Sequence, residues 1–380
     1  MDIKTVKTIN DLERITGQKV KENDRKKIQE VLERYPAKFT SHLAKLMKKS
    51  KEVAQQFLPN ILELEKCGTL APYEEGLHAA DIYGLERLYT DRVVITINFN
   101  CPSYCRFCFR KSRVLKNKPT MSYQDIDKAV NFIDKQKDIK GVLITGGDPL
   151  VQPDKLIYLI EKLEKIDHLI LVRIGTRSFL YQPEKLTADL AKKLARFVKF
   201  NCQNPAKSKT LSIVTHFNHP DEITVESVRA FKKFTSQGII FRNQTVLLKD
   251  INDDRETLRK LFETLVANNL VPYYLFHCMP LEGIKYLRPP VQKGIDLLKD
   301  LSKLSGLISP HYAVVTPIGK IRLIHSSKLK CKTKHQQRFV ILKSPYKVKE
   351  FLHNTNQKKL PKNCYADKDD FIMVDYLDGE

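Results

Sequence analysis

Three cysteines lie close together in the chain, and their spacing indicates a metal centre. Cys101, Cys105 and Cys108 are separated by three and then two residues, so one short segment carries three thiols. Thiolates favour zinc or iron–sulfur clusters. A structural zinc site would need a fourth Cys or His ligand, whereas a [4Fe–4S] cluster on three cysteines keeps one iron open for another ligand. Half of a zinc site and three unrelated cysteines remain as alternatives.

The cysteine spacing, with the aromatic Phe107 just before the last cysteine, resembles the signature of the radical S-adenosylmethionine (SAM) superfamily. The resemblance implies that the open iron binds the amino and carboxylate groups of SAM. It also implies that a glycine-rich stretch, here Gly146, Gly147 and Asp148, receives the methionyl amino group. Two glycines followed by Pro149 also make an ordinary turn after a strand, so a structural role stays open for this stretch.

Short apolar runs alternate with longer amphipathic segments from Val93 onward. The runs predict strands at Val93–Phe99, Gly141–Thr145, Leu169–Ile174, Leu211–His216, Ile239–Leu248 and Pro272–Cys278. Helices are predicted between and after them, at Tyr123–Gln136, Pro153–Lys165, Ala188–Phe200, Glu222–Ser236, Arg255–Asn268 and Val291–Leu304. Strand–helix units in succession indicate a parallel sheet with right-handed crossovers.

The predicted fold is therefore α/β, a partial (β/α)6 TIM-like barrel, because a closed eight-stranded barrel would need two more units. Residues 1–90 form a predicted N-terminal helical region, residues 91–324 the barrel core and residues 325–380 a small C-terminal extension. Polar, reactive or glycine-rich residues follow all six predicted strands. Because parallel barrels bind ligands in the loops after their strands, this pattern predicts a single active site.

Several runs together resemble lysine 2,3-aminomutase and its relatives over roughly residues 80 to 320. They are Asp91–Val93, Cys105–Arg110, Leu143–Leu150, Arg173–Arg177, Thr215–Pro220 and Asn243–Gln244. The resemblance implies an isomerase that carries pyridoxal 5′-phosphate (PLP) as well as SAM and the cluster. A 5′-deoxyadenosyl radical would take a β-hydrogen from an amino-acid substrate, whose amino group then migrates. It also implies a protein reductant such as flavodoxin or ferredoxin.

The same resemblance assigns roles to individual residues. Arg110 would bind the substrate carboxylate, since a guanidinium pairs with it in a bidentate way that lysine cannot copy. Arg92 would help to hold the PLP phosphate. The other predicted cofactor-binding residues are His216, Asn243 and Gln244.

Lys320 is the predicted catalytic lysine that binds PLP. The sequence departs here from the family pattern, which has a longer glycine run before the lysine, whereas this chain has Thr316-Pro317-Ile318-Gly319-Lys320. This segment also has the pattern of a β-hairpin with an exposed Lys320. Both interpretations stay open from the sequence.

A second departure concerns the substrate. Lysine-specific members of the family place two aspartates against the distal ammonium, and the matching positions here are Met279 and Thr316. A buried ammonium without a charged partner costs several kcal/mol. We therefore expect an amino-acid substrate other than free L-lysine.

Composition limits the class of protein. With 380 residues, 42% of them hydrophobic, the chain can bury a large core. The formal net charge of +22 would suit nucleic acid, but the lysines are spread along the chain without an arginine–aromatic strip, so nucleic acid is not an expected partner. No apolar stretch approaches the roughly 18 residues of a membrane span. The polar start and the unevenly placed cysteines predict a cytoplasmic protein.

Two other functions stay open at this point. The nearer one is a PLP-independent radical SAM enzyme of the same family with another substrate. The more distant one is a basic zinc- or nucleic-acid-binding protein. The sequence also leaves open an oligomer of identical chains.

Overall fold

The computed structural model describes residues 3–69, 81–111, 119–301, 309–323, 329–334 and 336–379. Its N-terminal region contains four α-helices and two short paired strands. The helices are α1 (Ile9–Thr16), α2 (Arg25–Arg34), α3 (Ser41–Met47) and α4 (Lys51–Gln55), and strand β1 (Ile3–Val6) pairs antiparallel with β2 (Ala37–Thr40). The Thr40 side chain caps α3 by accepting a hydrogen bond from the backbone N–H of Leu43.

A nine-stranded sheet forms the centre of the molecule. Its strands are β3 (Leu85–Tyr89), β4 (Arg92–Asn98), β5 (Gly141–Gly146), β6 (Leu171–Gly175), β7 (Thr210–Thr215), β8 (Ile240–Leu247), β9 (Leu270–His277), β10 (His311–Thr316) and β11 (Gly319–Arg322). Strands β4 to β10 are parallel, whereas β3 and β11 lie antiparallel at the two edges. The predicted α/β fold with a partial TIM-like barrel is confirmed.

Helices connect the parallel strands and bury their apolar faces. They are α5 (Tyr123–Lys135), α6 (Pro153–Leu163), α7 (Ser178–Tyr181), α8 (Ala188–Ala195), α9 (Val225–Thr235), α10 (Arg255–Ala267) and α11 (Val291–Leu301). In α5, for example, Ile126, Ala129 and Ile133 recur at helical spacing and are fully buried. The last three residues of the helix predicted over Val291–Leu304 lie outside the described residues. Among the described residues, no helix has the length and apolar character to span a membrane.

The structure adds a seventh parallel strand, β10, to the six that the sequence predicted. Strand β10 forms a hairpin with β11, in which Val315 lies opposite Lys320. The hairpin approaches β3 at the other edge of the sheet, because the backbone N–H of Lys320 donates to the Tyr89 hydroxyl at 3.2 Å. Gly319 has a φ of 108°, and a Cβ there would lie 2.6 Å from that hydroxyl. Only glycine allows this close approach of the two edges.

The C-terminal extension is a separate four-stranded antiparallel sheet that packs beside the end of β9. Its strands are β12 (Lys330–Lys334), β13 (Gln337–Lys347), β14 (Cys364–Ala366) and β15 (Phe371–Leu377), and helix α12 (Val348–Thr355) follows β13. The buried Arg288 donates to the carbonyl oxygens of Leu377 and Asp378 at 2.6 and 3.0 Å. The Nδ1 atom of His277, at the end of β9, lies 2.9 Å from the Tyr376 hydroxyl. These polar contacts fix the extension to the barrel.

Candidate active site

A cavity of about 300 Å³ opens at the carboxyl ends of the parallel strands. Most of the residues that the sequence singles out line it: Cys101, Cys105, Cys108, Arg110, Gly146, Gly147, Asp148, His216, Gln244 and Lys320. They come from the loop after β4, the ends of β5 and β7, the middle of β8 and the β10–β11 hairpin. Arg92 and Asn243 are not among the lining residues.

The cysteine segment follows β4 and is held by the N-terminal region. The backbone N–H of Tyr104 donates to the carbonyl oxygen of Lys38 at 3.0 Å, and that of Arg106 donates to the carbonyl oxygen of Gln56 at 2.8 Å. All three cysteines line the cavity. The segment therefore owes its position to residues more than 40 positions earlier in the chain as well as to the barrel.

The three sulfur atoms do not lie together as the ligands of one zinc ion do. Among the described residues, one group has three ligand atoms of His, Cys, Asp or Glu within 4.8 Å of one another: Glu52, His219 and Asp221. The three cysteines are not such a group. Because Zn–S bonds are about 2.3 Å long, the sulfurs around one zinc ion would lie closer together than 4.8 Å. The three thiols therefore do not form a preassembled zinc site among the described residues.

Burial keeps two of these thiols protonated in the metal-free chain. Burial, followed by the negative charges of Asp148 and Cys105, raises the pKa of Cys101 well above its ordinary value. Burial, followed by the charge of Cys105, raises the pKa of Cys108 to about 11. Because thiolates are the ligands, cluster assembly must release protons from this segment.

A buried charge triad beside the cysteines was not predicted from the sequence. Arg106 is 1% exposed, and its Nε and Nη2 atoms donate to the Glu63 carboxylate at 2.8 and 2.6 Å. The Lys111 ammonium donates to the same carboxylate at 2.8 Å. Burial lowers the pKa of Lys111 to about 8, although Glu63 opposes this change. The triad ties both ends of the Cys105–Cys108 segment to the N-terminal region.

A second buried network reaches a cysteine sulfur directly. Arg177 donates from Nη1 to the Cys105 sulfur at 3.0 Å, and from Nη2 to Gln56 Oε1 and Glu222 Oε1 at 2.8 and 3.0 Å. The Tyr181 hydroxyl lies 2.8 Å from the same sulfur. Glu222 and Gln56 are fully buried. Although the sequence placed Arg177 in a matching run, nothing in it marked Gln56 or Glu222.

Gly146, the last residue of β5, and Gly147 make room for the chain just before the cysteines. A Cβ at Gly146 would lie 2.2 Å from the Asn98 carbonyl oxygen, and one at Gly147 would lie 2.1 Å from that of Asn100. The backbone N–H groups of Gly147 and Asp148 donate to these two carbonyl oxygens, each at 2.8 Å. These two amides are therefore engaged by the chain itself, and this contact requires glycine whether or not SAM binds nearby.

Asp148 organises the neighbouring loop. Its buried carboxylate accepts hydrogen bonds from the Thr176 hydroxyl at 2.8 Å and from the backbone N–H groups of Arg177 and Leu150 at 2.9 and 3.0 Å. Burial raises the pKa of Asp148, and these hydrogen bonds oppose the rise. The side chain therefore joins the loops after β5 and β6.

His216 offers an unused hydrogen-bonding atom to the cavity. Its Nε2 atom is buried and has no partner among the described residues. Burial, followed by the charge of Arg177, lowers the pKa of His216 well below its ordinary value, so the ring is neutral. Asn243 plays a supporting part, because its side chain bonds the backbone N–H and the carbonyl oxygen of Phe217 at 2.8 and 2.9 Å.

Lys320 points into the cavity even though its segment is a hairpin. Its Nζ atom lies 4.8 and 4.9 Å from the ring centroids of Tyr274 and Phe276, which stack on each other. Burial, followed by the positive charges of Arg173, Arg92 and Arg322, lowers the pKa of Lys320 to about 7. Near pH 7 about half of the amine is therefore neutral, and the neutral form is a nucleophile.

Two arginines that do not line the cavity place positive charge close to Lys320. Arg173 has a buried Nε atom without a hydrogen-bond partner among the described residues, and burial followed by the charge of Arg92 lowers its pKa. Arg92 begins β4 and stacks on the Tyr89 ring at 4.0 Å. These cations are arranged to attract an anion.

Arg110 and Met279 also line the cavity. Arg110 donates from Nη1 to the Thr145 hydroxyl at 3.1 Å. Met279 is buried beside apolar neighbours, which are Val246, Phe276 and Val315. Thr316 is not among the lining residues, and its hydroxyl donates to the carbonyl oxygen of Gly319 at 2.8 Å within the hairpin.

Comparison with known proteins agrees with this geometry. The Radical SAM superfamily model matches residues 95–262. L-lysine 2,3-aminomutase from Methanococcus maripaludis is 32% identical over 83% of this chain and 72% of that protein. A putative L-lysine 2,3-aminomutase from Aquifex aeolicus is 36% identical over 70% of each chain. Glutamate 2,3-aminomutase from Clostridioides difficile is 33% identical over 62% of this chain and 54% of that protein.

These relatives are named as aminomutases, which are isomerases, so the predicted enzyme class is confirmed. The chain belongs to the radical SAM superfamily and, within it, to the lysine 2,3-aminomutase family.

Proposed function

We propose that the chain is a radical SAM 2,3-aminomutase that uses PLP and acts on an α-amino acid with an uncharged side chain. One observation carries the proposal: the cysteine segment, Arg110 and the Lys320 amine line a single cavity of about 300 Å³. A cytoplasmic location, where thiols stay reduced, suits the eight free cysteines.

The cavity has residues that fit each cofactor. Cys101, Cys105 and Cys108 would hold the [4Fe–4S] cluster, and the buried Nε2 atom of His216 would bond to SAM. When bound, the cluster and SAM supply the 5′-deoxyadenosyl radical, and PLP supplies a conjugated ring that stabilises the substrate radical. The protein's own part is to position these groups and to exclude water.

Lys320 and two arginines fit PLP. A lysine that attaches covalently to PLP must present a neutral amine, and the pKa of Lys320 is lowered to about 7. The unpartnered Nε atom of Arg173 and the guanidinium of Arg92 lie near enough to Lys320 for their charges to lower its pKa. Their positive charge would hold the PLP phosphate.

The substrate's α-carboxylate would pair with Arg110, whose guanidinium reaches the Thr145 hydroxyl in the cavity. A distal ammonium would find no free partner, since Asp148 is the one carboxylate among the described lining residues and its oxygens already accept hydrogen bonds from Thr176 and two backbone amides. An apolar or otherwise uncharged side chain would instead contact Met279, Val246 and Val315.

The test is to reconstitute the protein anaerobically with iron, sulfide and PLP, add SAM and a chemical reductant, and supply a mixture of the common amino acids. Mass spectrometry should detect a β-amino acid isomer of an uncharged member of the mixture. The Lys320→Met variant should keep the cluster absorbance and lose this product. A β-amino acid formed equally well by this variant would refute the PLP assignment and favour the PLP-independent alternative.

A further inference from the structure

A second and larger groove lies between the N-terminal region and two turns of the barrel. It has a volume of about 720 Å³ and is bordered by the end of α3, helix α4, the segment before residue 65, the turn after β8 and the turn before α11. None of the functions assigned to the cavity uses it.

The groove is strongly basic. Five lysines line it, whereas Glu65 and Asp250 are its only acidic lining residues among those described; the lysines are Lys48, Lys49, Lys51, Lys249 and Lys285. The first three are exposed. An excess of positive charge around a concave surface attracts acidic partners and accelerates their encounter.

Two neighbouring residues connect the groove to the cysteine segment. Gln55 lines the groove, and the next residue, Gln56, is fully buried. Gln56 Oε1 accepts a hydrogen bond from Arg177 at 2.8 Å, and Arg177 in turn donates to the Cys105 sulfur at 3.0 Å. Two hydrogen bonds therefore connect the groove wall to a cluster ligand.

A second connection runs through apolar packing. Tyr286 lines the groove and packs against the buried cluster of side chains that contains Phe107, the residue directly before Cys108. The groove lysines and the connection from Gln56 through Arg177 to Cys105 therefore lie at the same groove. The groove thus combines attraction of an acidic protein with access to the metal centre.

We propose that this groove docks an acidic electron-transfer protein carrying a reduced flavin or iron–sulfur centre. One electron would leave that centre, which is oxidised, and enter the [4Fe–4S] cluster, which is reduced; no bond to the protein forms or breaks. The inference rests on the cluster of the proposed function. Nucleic acid, the other acidic macromolecule, is a poorer fit because the path to Cys105 would serve it no purpose.

The experiment compares two triple charge-reversal variants of the reconstituted protein. The groove variant carries Lys48→Glu, Lys49→Glu and Lys51→Glu. The matched control carries Lys128→Glu, Lys135→Glu and Lys165→Glu, three exposed lysines on and beside the outer helices α5 and α6. Stopped-flow absorbance follows cluster reduction under anaerobic conditions, with reduced bacterial flavodoxin or with dithionite, which needs no docking surface.

At low salt, the groove variant should be reduced by flavodoxin at least about tenfold more slowly than the wild type, since electrostatic steering contributes about that much or more. Dithionite should reduce the groove variant as fast as it reduces the wild type. The control variant should match the wild type in its rates of reduction by flavodoxin and by dithionite. Added salt should slow the reduction of the wild-type cluster by flavodoxin and should have little effect on that rate in the groove variant.

Equal flavodoxin rates for the groove variant and the wild type would overturn the proposal, as would equal slowing of both variants. Slower reduction by dithionite would also overturn it, because the substitutions would then act on the cluster. Binding of tRNA that depends on these lysines and leaves the flavodoxin rate unchanged would assign the groove to nucleic acid. A wild-type protein that shows no cluster absorbance would refute the proposed function itself, and the docking proposal with it.

Discussion

Replacing Glu63 with glutamine should destabilise the whole chain, because one buried carboxylate neutralises two cations. Glu63 is fully buried and accepts hydrogen bonds from Arg106 Nε and Nη2 at 2.8 and 2.6 Å and from Lys111 Nζ at 2.8 Å. The backbone N–H of Asn60 donates to it as well, at 3.0 Å. A glutamine side chain keeps the shape of the glutamate but removes its charge.

The magnitude follows from what each cation can do in the variant. The pKa of Lys111 is about 8 with Glu63 beside it, so without that charge Lys111 should lose its proton near pH 7. Arg106 cannot do so, because a guanidinium stays protonated in proteins, and it is 1% exposed. Breaking a buried ion pair by removing one partner costs about 3–5 kcal/mol. That is a large share of the 5–15 kcal/mol that typically stabilises a folded protein.

Urea unfolding of the metal-free protein, followed by circular dichroism at pH 7, measures this cost. The matched control is Glu65→Gln, an exposed position two residues away, which should stay within about 0.5 kcal/mol of the wild type. Hydrogen exchange should show the largest loss of protection in the segment that contains Cys105 and Cys108. A Glu63→Gln variant as stable as the control would refute the assignment of the triad as the anchor of this segment.

Three further predictions concern the cavity. Gly147→Ala should lower the free energy of unfolding by about 1–3 kcal/mol and reduce the cluster content, because its Cβ would lie 2.1 Å from the Asn100 carbonyl oxygen. The control is Gly175→Ala, whose Cβ would meet its nearest atom at 3.6 Å. Equal stability of the two variants would contradict this prediction. Covalent attachment of PLP to Lys320 should be half-maximal near pH 7, since the amine is protonated below its pKa of about 7 and neutral above it. Borohydride traps the attached PLP, and peptide mass spectrometry locates it. A midpoint near pH 10 would contradict the burial of this amine. Met279→Asp should raise the ratio of kcat/KM for lysine to kcat/KM for uncharged amino acids about ten- to a hundredfold, which corresponds to the free energy of a hydrogen bond to a charged group. An unchanged ratio would show that the substrate side chain does not contact position 279.

The strands of the barrel could be predicted because each is a short apolar run between turn residues. The prediction of Gly141–Thr145, for instance, differs by one residue from the observed β5, Gly141–Gly146. Strand β10 was missed because its six residues continue directly into a hairpin turn, and the whole segment therefore has the pattern of an isolated hairpin. The hairpin was a correct alternative for Lys320, but its exposure was wrong. In the structure the amine lies over the rings of Tyr274 and Phe276, which are distant in sequence.

The cavity's motif residues could also be predicted, because the carboxyl ends of parallel strands converge at one edge of the sheet. The groups that support them could not. Glu63 lies 43 positions from Arg106, and Gln56 lies 121 positions from Arg177. A single glutamate or glutamine in a charged helical region has no local pattern that distinguishes a buried partner from a solvated side chain. Their role arises only when tertiary packing removes them from water.

The fate of the substrate's β-hydrogen tests the central claim most directly. The reconstituted protein should be incubated with SAM, PLP, a chemical reductant and leucine deuterated at its β-carbon, and the mass of the 5′-deoxyadenosine formed should then be measured. We predict deuterium in this product for the wild type, none for the Lys320→Met variant, and none when β-deuterated lysine replaces leucine. Deuterium transfer from lysine but not from leucine or any other uncharged amino acid, or equal transfer in the Lys320→Met variant, would contradict the account.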